Sequence, residues 1–343
     1  MPEKTNVVRP LNVNLRSRSN AEKGFLGRAS MPAARVPGVP ATPSHDLKYH
    51  GGKIIPKLEY FNYYVGGAKS WNSVDIQSIN DALDAAMRDT KLNNVMLQYF
   101  SGEPITTTFR GFKILSGTKP ALVSQGDVEG LLRRLYRAGK LKTFNLDSIV
   151  INFMLPSGTI LNTDETPTSG TISAQIDEEP GGASRAIPHE EEDSTQGLGG
   201  YHGSIHIGTA AQKKTLYYAI GVFSEILPDG TENGIVVFDK PWKNVVATFY
   251  HELNEARTDP DVQDAIDAGN SPDAVKFLGW TSNQGEECGD FPVFEATPLT
   301  KVFKEVPLTP GPGTAPVQFQ YSNAVHGPEG PIAKPHPLAE AIV

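Results

Sequence analysis

The chain has 343 residues, 38% hydrophobic and 20% charged, enough for one large domain or two ordinary ones. A formal net charge of −8, from 31 Lys and Arg against 39 Asp and Glu, excludes a general nucleic-acid binder, because no basic surplus exists to displace phosphate counterions. The single cysteine, Cys288, excludes an internal disulfide, and no run of about 18 apolar residues is present to span a membrane.

Residues 1–50 read as a flexible tail in which Pro37, Pro40 and Pro43 interrupt a stretch without hydrophobic period. No apolar leader follows the N-terminal arginines and lysines, so cytoplasmic residence is the default expectation, with secretion by another route left open. Residues 57–65 form an aromatic and β-branched run ended by Gly66-Gly67, which reads as a strand. Ser73 is placed to cap a helix through Asp89, with Ile76, Ile79, Leu83 and Met87 as its buried stripe. Residues 94–100 extend this packing, and 109–114 form a short strand. Ser124 or Asp127 begins a second helix carrying Val128, Leu131, Leu132 and Leu135, ending near Gly139. The apolar run 149–155, stopped by Pro156-Ser157-Gly158, is the expected central strand.

Residues 162–198 are acidic and breaker-rich and read as a solvated insertion, since the spacing of a calcium loop is missing. Strands are expected at 203–207 and 215–223. Pro241 then opens a helix at a position where its missing N–H costs nothing, and Asp259-Pro260 stops it. Ser271-Pro272-Asp273 restarts a short helix through Leu278, residues 317–321 alternate like a strand, and 331–343 read as a second tail.

The long helix carries His251-Glu252-Leu253-Asn254-Glu255. Positions four apart share a helical face, so His251 and Glu255 can point at one metal ion with Glu252 beside them. This is the zincin arrangement H-E-x-x-H with a carboxylate in place of the second histidine. Glu252 would take a proton from a metal-bound water. A catalytic zinc takes three protein ligands, and the acidic loop 285–290 offers Glu287 as the third, with Glu286 and Asp259 as competitors. Cys288 reads as a small buried apolar residue rather than a ligand. His202, between glycines in Gly200-Tyr201-His202-Gly203, is a candidate donor to a developing oxyanion, against the plainer reading of a structural loop histidine.

These residues resemble the EXORDIUM (phosphate-induced protein) family of plants and, more closely, its bacterial zincin-like relatives. The resemblance rests on His251-Glu252-Leu253-Asn254-Glu255-Ala256-Arg257-Thr258-Asp259-Pro260 and, downstream, Glu286-Glu287-Cys288-Gly289-Asp290. Weaker pieces follow the same order: Tyr64-Val65-Gly66-Gly67 with Trp71, Leu97-Gln98-Tyr99, Leu155-Pro156-Ser157-Gly158, Gly200-Tyr201-His202-Gly203, and Val317-Gln318 with Tyr321-Ser322-Asn323. It makes residues 51–330 one domain and makes Glu287 the counterpart of the family's downstream glutamate. Glu286 stands where the family motif has glycine, and the cysteines of secreted members are absent.

The expectation is an α+β, zincin-like fold, a mixed sheet packed on the active-site helix, with disordered or extended termini. His251, Glu255 and Glu287 would bind zinc or another divalent transition metal. Glu252 would be the general base, His202 an oxyanion donor, and Asp259 and Asp290 would orient the ligands. A metallopeptidase acting on a peptide or small-molecule substrate is the simplest function. The alternatives are another metal-dependent enzyme (a lyase, oxidase or non-peptide hydrolase) and a non-catalytic binding or signalling module of EXORDIUM type. No nucleic-acid or membrane partner is expected, and the sequence does not set the oligomeric state.

Overall fold

The computed structural model describes residues 36, 39–101, 103–168, 193–208, 213–269 and 271–339. Most of the expected N-terminal tail, most of the acidic insertion (169–192) and residues 340–343 lie outside that set. The architecture is mixed α+β, with 32% helix and 26% strand. No helix among the described residues is long and apolar enough to cross a membrane.

β1 (Lys57–Tyr64) leads into α1 (Ser73–Arg88) and the short α2 (Thr90–Met96), then β2 (Thr106–Ile114). The α1 cap is Asn72 rather than Ser73. Its extended backbone lets the side chain accept from the Val74 N–H, and Ser73 is already helical. α3 (Gln125–Arg137) starts with a reciprocal capping box in which Ser124 is the cap and Asp127 the third helical residue. β3 (Ile149–Met154), β4 (Gly200–Ile207) and β5 (Lys214–Gly221) complete a five-stranded sheet of order β2-β1-β3-β5-β4. All pairings are parallel except β4 with β5, so β4 is an antiparallel edge strand.

Every residue of β3 is buried, as an apolar run in a sheet covered on both faces requires. On one face, α1 and the long helix α4 (Pro241–Thr258) pack against Tyr60, Tyr64, Val150, Met154 and Ala219. On the other, α3 packs through Val128, Leu131, Leu132 and Leu135 against Ile151, Phe153 and Tyr218. α5 (Val262–Ala268) and α6 (Asp290–Glu295) follow, then the hairpins β6 (Phe303–Pro307) with β7 (Thr314–Gln318) and β8 (Gln320–Ser322) with β9 (Gly327–Glu329).

Three boundaries differ from the sequence expectation. The body begins before residue 50: Val39 and Leu47 are buried, Lys48–Tyr49 pairs antiparallel with Trp280–Thr281, and His45 stacks on Phe291. An extended Pro-rich segment of this kind is held by distant partners and shows no period of its own. The strand expected at 317–321 is divided at Phe319, whose N–H donates to Val302 O while that of Tyr321 donates to Cys288 O. The helix expected through Leu278 is a single 3-10 turn, Ala274–Phe277. The C-terminal segment also docks, with the Ile332 N–H on Lys91 O and the Ala339 N–H on Gln98 O.

A polar chain runs through the apolar layer between β1, β3 and α1. The Asn152 amide donates to Asn62 Oδ1 (2.9 Å), Asn62 donates to Asn80 Oδ1 (2.8 Å), and the Tyr64 hydroxyl donates to the same oxygen (2.9 Å). Asn62→Ala would leave the buried Asn152 amide without its acceptor, while Asn80 Oδ1 keeps the Tyr64 hydroxyl. We predict a loss of about 3 kcal/mol in urea-denaturation stability. An Asn62→Ala protein as stable as wild type would show that the chain contributes nothing.

Candidate metal centre

α4 places its functional groups because it is buried along nearly its whole length, with residues 244 to 258 all enclosed. Its last turn is tied down on several sides. The Arg257 guanidinium donates to Thr106 O (2.9 Å) and Thr107 Oγ1 (3.2 Å), and burial pushes its pKa down to about 10. The Thr258 hydroxyl donates back to Asn254 O (2.9 Å). Asp259, the residue after the helix, accepts from the Gly279 N–H through Oδ1 (2.7 Å).

His251, Glu252 and Glu255 share one face of this helix, and all three have no exposed surface. His251 Nε2 lies 3.0 Å from Glu255 Oε2. Neither atom has a hydrogen-bond partner, so the pair is close without being aligned for a hydrogen bond. Two ligands about 2.1 Å from a tetrahedral ion lie about 3.4 Å apart, close to this spacing. Glu252 Oε1 and both Glu287 carboxylate oxygens are also buried and unpartnered. Among the described residues, donor atoms within 4.8 Å of one another form two groups sharing Glu255: His251 with Glu252 and Glu255, and His202 with Glu255 and Glu287.

The expected set of His251, Glu255 and Glu287 is therefore divided, and His202 stands where the two groups meet. Its Nδ1 is 3.4 Å from Glu252 Oε2 and 3.8 Å from Glu255 Oε2. Its Nε2 is 3.5 Å from Glu287 Oε1 and 3.3 Å from the Asp259 carbonyl. Both ring nitrogens face oxygen acceptors, which suits an imidazolium counter-ion. The edge strand β4 brings it there: His202 is paired with Ala219 in the sheet layer beneath α4.

The loop supplying Glu287 is fixed by its neighbours. Asp290 Oδ2 accepts from the Glu287 N–H (2.9 Å), and the Gly289 N–H donates to Glu255 Oε1 (2.9 Å). Glu286 is turned away, with His45 Nδ1 at 3.1 Å and the Ser282 hydroxyl on its other oxygen. Cys288 donates to Gln320 Oε1 (3.2 Å), and burial raises its pKa well above the usual thiol range. Neither is placed as a ligand.

Gln318 and Gln320 escaped sequence reasoning. Gln318 Oε1 lies 2.7 Å from His251 Nδ1, and its amide nitrogen donates to Gly289 O (3.0 Å) and Phe319 O (2.6 Å). Gln320 Nε2 donates to the same Oε1 (3.1 Å). These partners orient the amide, so His251 Nδ1 must carry the proton and the lone pair of neutral His251 is on Nε2, toward Glu255. The available signal was a pair of glutamines at alternate positions in an otherwise apolar stretch.

The electrostatics are lopsided. Glu252, Glu255, Asp259, Glu287 and Asp290 are all buried, and only the two imidazoles balance them within the cluster. Burial raises Glu252, lifts Asp259 to about 7, and pushes Glu287 and Asp290 well above the carboxylate range. For His251, burial opposes the charged ring, but Glu255, Glu252 and Asp290 outweigh it and raise the pKa to about 10. His202 is raised in the same way, chiefly through Glu252. Unpartnered nitrogen and oxygen donors under excess negative charge fit a divalent cation.

Two predictions follow from this geometry. A Cβ on Gly289 would lie 2.2 Å from His251 Nδ1 and 2.8 Å from Glu255 Oε1, although its backbone is in the ordinary negative-φ region. Gly289→Ala should therefore displace the loop and weaken zinc binding, as should Gln318→Leu, by roughly 10–100-fold in a chelator-competition titration. Wild-type affinity in both variants would refute the arrangement.

The second concerns pH. Raised carboxylate and histidine pKa values mean that the folded state holds protons which the unfolded chain releases. Metal-free stability should thus fall as pH rises through Asp259's value of about 7 and onward toward His251's value of about 10. A divalent cation replaces those protons, so the gain in Tm on adding zinc should be larger at about pH 8 than at about pH 5.5. Equal or absent gains by differential scanning fluorimetry would count against the centre.

The chain matches no protein-family model and no curated protein.

Proposed function

We propose that the protein is a zinc-dependent hydrolase with a zincin-like fold, most simply a metallopeptidase, related to the zincin-like branch of the EXORDIUM-type proteins its motifs resemble. One observation carries this reading: His251 Nε2 and Glu255 Oε2 converge to 3.0 Å without hydrogen bonding, one helical turn apart, with Glu252 on the same buried face. The topology is compatible with it. The ligand-bearing helix follows β5 in the chain and packs on the sheet beside the edge strand β4.

His251 and Glu255 would hold the ion, with Glu287 completing the set. Bound zinc supplies Lewis-acid polarisation of a carbonyl and eases deprotonation of water. Glu252 is the general base: burial raises its proton affinity above that of an exposed glutamate, closer to working pH. It accepts the proton of the attacking water and returns it to the leaving amine. His202, 3.4 Å from Glu252, keeps that carboxylate in place and provides positive charge for a developing oxyanion. Asp290 positions Glu287 through its amide, and the Asp259 carbonyl accepts from His202 Nε2 (3.3 Å).

A second reading is favoured by the complete burial of His251, Glu252, Glu255 and Glu287. A closed centre of this kind suits an ion that ties α4 to the downstream loop in a non-catalytic binding or signalling module. Metal analysis of protein purified without added metal, together with Glu252→Gln, separates the readings. Catalysis requires peptide cleavage that a chelator stops and that Glu252→Gln lowers by at least about 100-fold with metal content unchanged. Metal retained without any chelator-sensitive turnover in wild type would support the closed centre. Absence of any metal uptake would defeat both.

A further inference from the structure

A cavity of about 790 Å³ opens beside the start of β5, between the end of α3, the loop leading into β3, and Lys53 ahead of β1. It is distinct from the metal centre, which lies beneath α4 with His202 opposite Ala219, nearer the end of β5. Lys53, Arg137, Lys142, Lys213 and Lys214 line it, against Asp147 as the one carboxylate in its wall. Among the described residues none of these five cations is ion-paired. In a chain of net charge −8, five cations against one carboxylate around a cavity create a local positive field that attracts anions.

Asp261 and Asp147 attract Lys53 without forming an ion pair, so the cations still outnumber the carboxylates near the wall. Lys53 donates to the Tyr217 hydroxyl (3.0 Å) and lies 4.5 Å from the ring centre. The rest of the wall includes the half-buried rings of Tyr136 and Phe144, beside Leu141 and Leu146. The cavity therefore offers both charge and flat apolar surface. Its volume lies in the range of about 300–1,000 Å³ typical of small-molecule sites.

We propose that this cavity binds a nucleoside polyphosphate, with the phosphates among Lys53, Lys213 and Lys214 and the base against Tyr136 and Phe144. Inorganic polyphosphate satisfies the cations alone, and a nucleoside satisfies the rings alone. Only a ligand joining the two uses the whole wall.

Calorimetric titration of the full chain with ATP, tripolyphosphate and adenosine, at about 150 mM salt, tests this. ATP should bind, tripolyphosphate should bind at least about fivefold more weakly, and adenosine should give no signal below about 1 mM. Lys53→Met and Lys214→Met should each weaken ATP about tenfold. Lys214 is exposed at a strand end, so its variant tests the site even if Lys53→Met fails to fold. No ATP binding up to about 1 mM, or ATP affinity unchanged in Lys214→Met, would overturn the site; the second result would place ATP elsewhere, including at the metal centre. Tripolyphosphate binding as tightly as ATP would overturn the nucleoside assignment.

Discussion

The interior of this protein holds more negative charge than its own cations neutralise, and much of the architecture answers that constraint. Taking a carboxylate out of water costs several kcal/mol unless it is paired and hydrogen-bonded. Three backbone N–H groups meet part of the cost: Gly289 on Glu255, Glu287 on Asp290, and Gly279 on Asp259. His202 and His251 supply what positive charge the cluster has. The remaining oxygens of Glu252, Glu255, Asp259, Glu287 and Asp290 accept no hydrogen bond, and two imidazoles cannot neutralise five carboxylates, so protons or a divalent cation must balance them. A sequence that assembles this arrangement from a helix, an edge strand and a loop gains stability only if something binds there.

Gly289 is where these demands meet. Its N–H holds one carboxylate and its carbonyl accepts from Gln318, while the missing side chain lets the loop lie against His251. Gln318 in turn accepts from His251 and from Gln320, which also receives the Cys288 thiol. A continuous set of hydrogen bonds thus connects the loop of Glu287 to the helix of His251. The same closure sets the functional question, since His251, Glu252, Glu255 and Glu287 have no exposed surface.

Local chemistry made much of this legible in the sequence. Pro241 and Asp259-Pro260 bracket α4, the 149–155 run announces the central strand, and the i, i+4 spacing brings His251 and Glu255 together. What the sequence hid is non-local. Gln318 reaches His251 across 67 positions, His202 reaches Glu252 across 50, and Asn152 reaches Asn62 across 90. None of these pairs has a period or a spacing that marks it. The expected tail at residues 39–50 failed for the same reason: its order comes from contacts such as His45 with Phe291 and Asp46 with Tyr321, not from its own propensity.

The carboxylate at position 255 has a consequence for chemistry as well as for charge. Replacing a neutral imidazole with an anionic ligand would leave a bound ion less able to draw electrons from a water molecule, and would open the site to divalent ions other than zinc. Efficient proton transfer then needs a stronger base beside the ion. In the proposed hydrolase burial would provide one, because the desolvation that makes the cluster costly also raises the pKa of Glu252. His202 limits the rise by hydrogen bonding to the same side chain, so the proton affinity of Glu252 is set between a dry environment and a neighbouring cation. In the proposed hydrolase the ligand set and the base would thus be matched by one physical cause, the exclusion of water from α4.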